Sequence, residues 1–526
     1  MTSLTASEGP DFKEVRPSLV PVIRDKGLLR FTAWIVFAAV AAALLAAYVH
    51  AGLTRETWYD EYYTYYVTRP ALGWAEAFSG HWMTDNHPPL FYALSRATGW
   101  LGDTIEARRF VNLLVLAAVA GGAYAALRSG GRHWLLALCF LIYPAMTGVG
   151  IPVFAELRSY FMSFAVVALM LLAAVLIWLD DAKPARQRSA VYAVSVFAAF
   201  NIHVTTSLIA GSMLVPFIAA ALLKRDYDRF RTYLYPALFA GVFLLSTVAF
   251  QFQLWIANTS EFWIPAGFGQ AWGSLVMIAT FIADSDRKIM LVCVLGLGVL
   301  AVRSVQSRRL SPDLEAAVLL GIGLLIAAGL VMAVQAWRPS VIPKYLTPLV
   351  PAVCLILAIG FRAVLDTLSG LIGSVLLIYL AVMSVASIRH NDAAIANMKG
   401  WDRAASVVGR QAVLCPGTLV HVDSHWNRYV AGLQPSDNAR VVPYSYRYLA
   451  KQYGFTVQPA GSRRIAADCP TLFWAQNHSQ DMPTMREVLN FERSKGFRLD
   501  SLHFYHVGGG WIASTRPLDP SLVAGN

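Results

Sequence analysis

Charge is what this sequence has least of. Only 14% of its 526 residues are Asp, Glu, Lys or Arg, where a soluble globular chain carries about 25%. That shortfall excludes a cytosolic enzyme, and it excludes a disordered chain, which would be rich in charge and poor in apolar residues. Cysteine is scarce too, five in all, too few for a disulfide scaffold and at no metal-ligand spacing. Cys139, Cys293 and Cys354 lie inside apolar runs and read as packing residues. No internal repeat and no low-complexity stretch is visible. What the chain has instead is apolar surface: 56% of its residues are hydrophobic, and mean hydropathy is +0.50. The reading is a polytopic membrane protein. Its 43 Lys and Arg against 32 Asp and Glu give a formal net charge of +11. In a membrane protein that excess is cytoplasmic loop charge rather than a nucleic-acid footprint.

A helical span needs about 20 predominantly apolar residues. Runs at 29–52, 108–127, 133–150, 158–179, 189–202, 204–223, 232–256, 288–304, 314–335, 344–361 and 367–388 make about eleven spans by that measure. The first is too long for a signal segment and reads as a retained helix. Its preceding tail bears Lys13, Arg16, Arg24, Lys26 and Arg30 and is expected in the cytoplasm. Arg128/Arg132, Lys183/Arg186/Arg188, Lys224/Arg225/Arg229/Arg231 and Arg303/Arg308/Arg309 then fall on that same side, as the positive-inside rule requires. Loops 53–107, 150–157, 257–287 and 336–343 fall on the outer side, together with everything after 389.

Three regions follow: a cytoplasmic tail 1–28, a membrane domain 29–390 with a large first outer loop 53–107, and an outer domain 391–526. In the last, Thr418–Asp423, Thr471–Gln476, Ser501–Val507 and Gly510–Thr515 read as strands. Asp402–Val413 and Thr484–Lys495 have helical spacing. The fold class is therefore a polytopic α-helical membrane protein with a small C-terminal α/β domain. Cys415 and Cys469 lie in that domain, free to pair or to stay reduced. His421, His425, His478, His503 and His506 match no zinc pattern, so no metal is assigned to them.

The chemistry is concentrated in the outer loops. Trp58 to Tyr66 reads Trp-Tyr-Asp-Glu-Tyr-Tyr-Thr-Tyr-Tyr. An interfacial helix at the headgroups accounts for its aromatics but less well for the paired carboxylates, Asp60 and Glu61, which are the candidate catalytic groups. Further on comes Asp85-Asn86-His87-Pro88-Pro89-Leu90, where the two prolines pre-organise a helix start behind His87.

In this order the motifs resemble the GT-C glycosyltransferases: Asp60-Glu61, then His87-Pro88-Pro89-Leu90, then Glu106-Ala107-Arg108-Arg109. The likeness is to the bacterial branch related to protein O-mannosyltransferases and lipid A aminoarabinose transferases. Ala155 to Tyr160, Asn201-Ile202-His203 and Lys344 to Pro348 extend it over roughly residues 29–390. The family commonly has Lys where this chain has His87, and many members have Arg where it has Lys344.

The resemblance implies a GT-C-like bundle that moves a sugar from a polyprenyl-phosphate carrier, with Asp60 as the catalytic carboxylate. Expected at the carrier phosphate or sugar are His87, Arg158, Lys344 and Tyr345, with Glu156 and His203 beside them. Snorkelling toward headgroups is the competing account of Arg158 and Lys344, and packing the competing account of His203. No metal is required, although a divalent ion at Asp60/Glu61 stays open. The expected acceptor is a cell-envelope glycan or glycolipid, or alternatively a protein. The expected location is a bacterial inner membrane with the site facing the periplasm. The rivals are a flippase for lipid-linked sugars, and a surface-polysaccharide polymerase or ligase using a diphosphate-linked donor. A transporter would place its ionisable groups near the bilayer midplane, whereas these lie in outer loops.

Overall fold

A computed structural model describes residues 26–128, 133–180, 184–260, 267–283, 286–396, 398, 400–423, 437–476 and 502–523. Among them, nine helices are long and apolar enough to cross a membrane, from Gly27–Thr54 through Gly370–Ile395. Two more of the expected spans are helical but short, Trp134–Met146 and Arg186–Ile202. Tyr160–Trp178 is apolar all round and almost wholly buried, as a helix at the centre of a bundle should be.

The region 257–287 is not only loop. It contains a 16-residue helix, Phe268–Ala283. Gly267, Gly269 and Gly273 interrupt the apolar run at its start, which hides the helix from a hydropathy count.

The bundle has two chemically distinct ends. At one, Lys224 meets Glu315 at 2.6 Å, and Arg362 meets Asp313 at 3.1 Å. Arg229 binds Asp226 there, and Arg188 binds Asp180. At the opposite ends of the same helices lie Arg158, His203 and Lys344. The charges expected on the inner side thus cluster together, away from the motif residues.

The C-terminal domain, expected on the outer side, carries a four-stranded sheet ordered β1-β2-β4-β3, with β1 Leu419–Val422, β2 Thr471–Gln476, β3 His503–Val507 and β4 Gly510–Ser514. β1 and β2 are parallel; β2–β4 and β3–β4 are antiparallel. Gly508, in the turn between β3 and β4, has φ +60°, a conformation that favours glycine. Helix Asp402–Leu414 is present as expected; the segment 484–495 lies outside the described residues. Helix Asp437–Tyr453 was not expected, because Pro443 and its polar composition obscure the periodicity. Cys415 and Cys469 form a disulfide, with Cα atoms 5.7 Å apart.

This domain packs on the first outer loop, and the tyrosines of helix Tyr59–Thr68 are the seam. Tyr59, Tyr62, Tyr63 and Tyr65 are buried. Tyr62 packs on Trp401 and Tyr448 with ring centroids 5.5 and 5.7 Å apart, and Tyr66 packs on Tyr444 at 5.1 Å. The Thr57 carbonyl accepts from the Trp401 amide, the Thr57 amide donates to the Asp402 carboxylate, and His81 meets Asp437 at 2.6 Å. The aromatics therefore serve protein packing rather than a headgroup belt.

Candidate active site

Successive residues on a helix point about 100° apart, and that divides Asp60 from Glu61. Glu61 turns inward and is fully buried. Its Oε1 accepts from Arg109 Nε (2.7 Å) and the Leu157 amide (2.8 Å). Its Oε2 accepts from Arg109 Nη2 (3.0 Å) and the Trp58 amide (3.1 Å), with Arg55 at 3.8 Å. With four N–H donors on two oxygens, this carboxylate has little capacity left for a proton or a divalent ion. The catalytic and metal expectations for Glu61 meet a group already engaged in holding the first outer loop to the bundle.

Asp60 turns the other way. Its carboxylate is half-buried, and among the described residues no hydrogen bond or ion pair reaches it. Its backbone carbonyl accepts from Arg158 Nη1 at 3.5 Å and from Thr64. It is near enough to Arg158, Tyr92, Tyr160 and Tyr345 to act on each electrostatically.

Arg158 is a buried cation at this end of the bundle. It is 7% exposed, donates to Thr64 Oγ1 at 3.3 Å and lies over the Tyr160 ring at 5.7 Å. Its Nε has no hydrogen-bond partner, and among the described residues no carboxylate forms an ion pair with it. Asp60 and Glu156 act on it only at longer range, and a buried charge without a direct partner is costly, so this one invites an anion. A cavity opens beside it, lined also by His87, Phe91, Tyr92, Ser159 and Ile202.

The other expected residues converge here. Lys344 Nζ lies 2.6 Å from Glu156 Oε1 and 5.9 Å from the Tyr160 ring. Arg55 reaches the same Glu156 oxygen at 2.7 Å. Burial alone would raise the Glu156 carboxyl, but Arg55, then Lys344 and Arg158, outweigh it and hold it down at about 2. Glu156 is therefore ionised at neutral pH, poorly suited to donate a proton and well suited to fix Lys344.

His87 stands across from His203, ring centroids 4.9 Å apart, and His203 lies 4.7 Å from Tyr345. Behind His87, Asp85 Oδ2 is 3.6 Å from Nδ1. Burial would raise the Asp85 carboxyl, yet His87, the Tyr92 hydroxyl and the Asn86 amide hold it below its ordinary value. The loop is pinned from helix Tyr227–Ser260: Gln251 donates to the His87 carbonyl (3.0 Å) and Trp255 to the Asn86 carbonyl (2.9 Å).

Sequence reasoning missed Arg55, Asp85, Tyr92 and Gln251. Arg55 ends an apolar span and so reads as an anchor; Gln251 lies inside one. Of the outer-domain histidines, His421 packs on Phe473 and contacts the Arg464 carbonyl. His425 and His478 lie outside the described residues. Among the described residues no group of three His, Cys, Asp or Glu is arranged to hold a metal.

No family model and no curated protein matches this sequence. Its fold does match solved structures. ArnT from Cupriavidus metallidurans, in the apo state, aligns with TM-score 0.51 and 13% identity, over 94% of this chain and 100% of that one. The same protein bound to undecaprenyl phosphate aligns equally well. At that identity the likeness is one of fold alone.

Proposed function

We propose that this chain is a membrane glycosyltransferase that takes a sugar from a polyprenyl-phosphate carrier. It passes the sugar to a glycan or glycolipid of the cell envelope, on the periplasmic side of a bacterial inner membrane. The observation that carries the reading is Arg158, a buried guanidinium with no ion-paired carboxylate that lines a cavity, with the Asp60 carboxylate in electrostatic reach of it. That an ArnT of the same fold binds undecaprenyl phosphate supports the choice of carrier.

In this reading Asp60 is the general base. An acceptor hydroxyl attacks the anomeric carbon and its proton passes to the Asp60 carboxylate. The bond from that carbon to the phosphate oxygen breaks as the new bond forms on the opposite face, so the configuration inverts. Negative charge grows on the departing lipid phosphate, where Arg158, Lys344 and His87 receive it. A preorganised donor aimed at such charge supplies on the order of 3 kcal/mol. Fixed cations suffice for a monophosphate. Glu61 and Glu156 act through others, Glu61 on Arg109 and Glu156 on Lys344.

The test is mass spectrometry of total lipid from cells carrying wild type or Asp60→Asn. Build-up of a polyprenyl-phosphate sugar in the mutant is expected and gives the sugar's mass. An unchanged lipid pool, with the mutant protein present in the membrane, would overturn the assignment of Asp60.

A further inference from the structure

His203 occupies the break between helices Arg186–Ile202 and Val204–Leu223, in extended backbone at φ −158° and ψ 138°. Its Nδ1 accepts a hydrogen bond from the Thr205 amide at 3.2 Å and so caps the second helix. An imidazolium has no lone pair to offer. The ring that makes this cap is therefore neutral, and its single ring proton sits on Nε2.

That Nε2–H is buried and has no hydrogen-bond partner among the described residues. Buried donors are nearly always matched, so an unmatched one beside the residues of the candidate site points to a ligand. The surroundings say which ligand. Around the ring stand His87 at 4.9 Å, Tyr345 at 4.7 Å and Tyr160 at 6.4 Å. Ile202, its chain neighbour, lines the same cavity as His87 and Arg158.

We infer that the Nε2–H of His203 is a substrate-binding donor that hydrogen-bonds an oxygen of the carrier phosphate. The inference rests on the carrier reading above and adds a division of labour to it. Arg158 supplies charge. His203 supplies direction without charge, because its position is fixed by the cap it makes on the other side of its ring. The helix start and the ligand are thus read by the two nitrogens of one ring.

Three variants separate those two roles. His203→Asn keeps an oxygen that caps a helix as well as any side chain but removes the far N–H. His203→Gln keeps an N–H at similar reach and weakens the cap; His203→Ala removes both. Thermal midpoint and affinity for undecaprenyl phosphate are measured on the full chain in lipid nanodiscs. The Asn variant is expected to melt like wild type yet bind about 10- to 100-fold more weakly, the range for one hydrogen bond to a charged group. The Gln variant is expected to melt lower yet bind at least about tenfold tighter than the Ala variant.

Wild-type affinity in a folded Asn variant overturns the inference and leaves the carrier reading standing. Should the Asn variant not fold, equal binding by the Gln and Ala variants overturns it instead. A wild-type chain that fails to bind undecaprenyl phosphate removes both.

Discussion

Lys344 Nζ and Arg55 Nη2 share one oxygen of Glu156, at 2.6 and 2.7 Å, although Lys344 follows Glu156 by 188 residues. One buried carboxylate thereby ties the first span and the late outer turn to the loop that carries Arg158.

Glu156→Gln should lower the thermal midpoint, since removing one partner of a buried ion pair costs about 3–5 kcal/mol. The pH dependence has a definite sign. The folded carboxyl sits at about 2 against an ordinary 4.5, so its stabilisation is full above pH 4.5 and is lost as pH falls toward 2. The wild-type midpoint should drop across that window and the Gln variant's should drop less. Parallel curves would count against the clamp.

Asp60→Asn and Glu61→Gln should differ in kind. The first removes a group with no structural partner, so transfer should fall about 10²- to 10⁴-fold at an unchanged thermal midpoint. The second unpairs Arg109 and should appear first as lost stability. Equal destabilisation by both would contradict the division of roles between them.

Arg158→Met should leave the donor-free protein as stable as wild type or more so, because the change breaks no direct ion pair and Glu156 keeps Arg55 and Lys344. Turnover at low donor concentration should fall about 10²- to 10³-fold, with the response to acceptor little altered. A defect confined to acceptor use would argue against a phosphate at this guanidinium.

Asp402 makes the outer seam sensitive to pH. Burial pushes its carboxyl up to about 6 from 3.8; the Thr57 amide pulls against that and Glu106 adds to it. A raised carboxyl stabilises the fold fully below pH 3.8 and loses that contribution as pH rises through 6. Asp402→Asn should flatten the midpoint between pH 4 and about 6.5, read by differential scanning fluorimetry. A variant that keeps the wild-type slope would place the titration elsewhere.

Much of the membrane architecture was legible because a bilayer imposes runs of about 20 apolar residues. It was not legible where glycines break the run, at Gly269 and Gly273, or where a helix is polar and contains proline, as at Asp437–Tyr453. The outer-loop residues were legible as a set through their order and common side. Their individual duties were not. That Glu61 faces inward depends on Arg109, 48 residues later, and adjacent carboxylates look alike until that partner is placed. That Arg158 has no directly paired carboxylate is likewise a property of space, since Glu156 stands two positions away in the chain yet spends its oxygen on Arg55 and Lys344.

The tyrosine seam has a consequence in time. Tyr62 emerges early, whereas its packing partner Tyr448 follows about 390 residues later, roughly 20–80 s behind at 5–20 residues per second. Through that interval the helix bearing Asp60 stands in the first outer loop with its tyrosine face uncovered. The C-terminal domain, made after the bundle, then packs on the helix that carries Asp60.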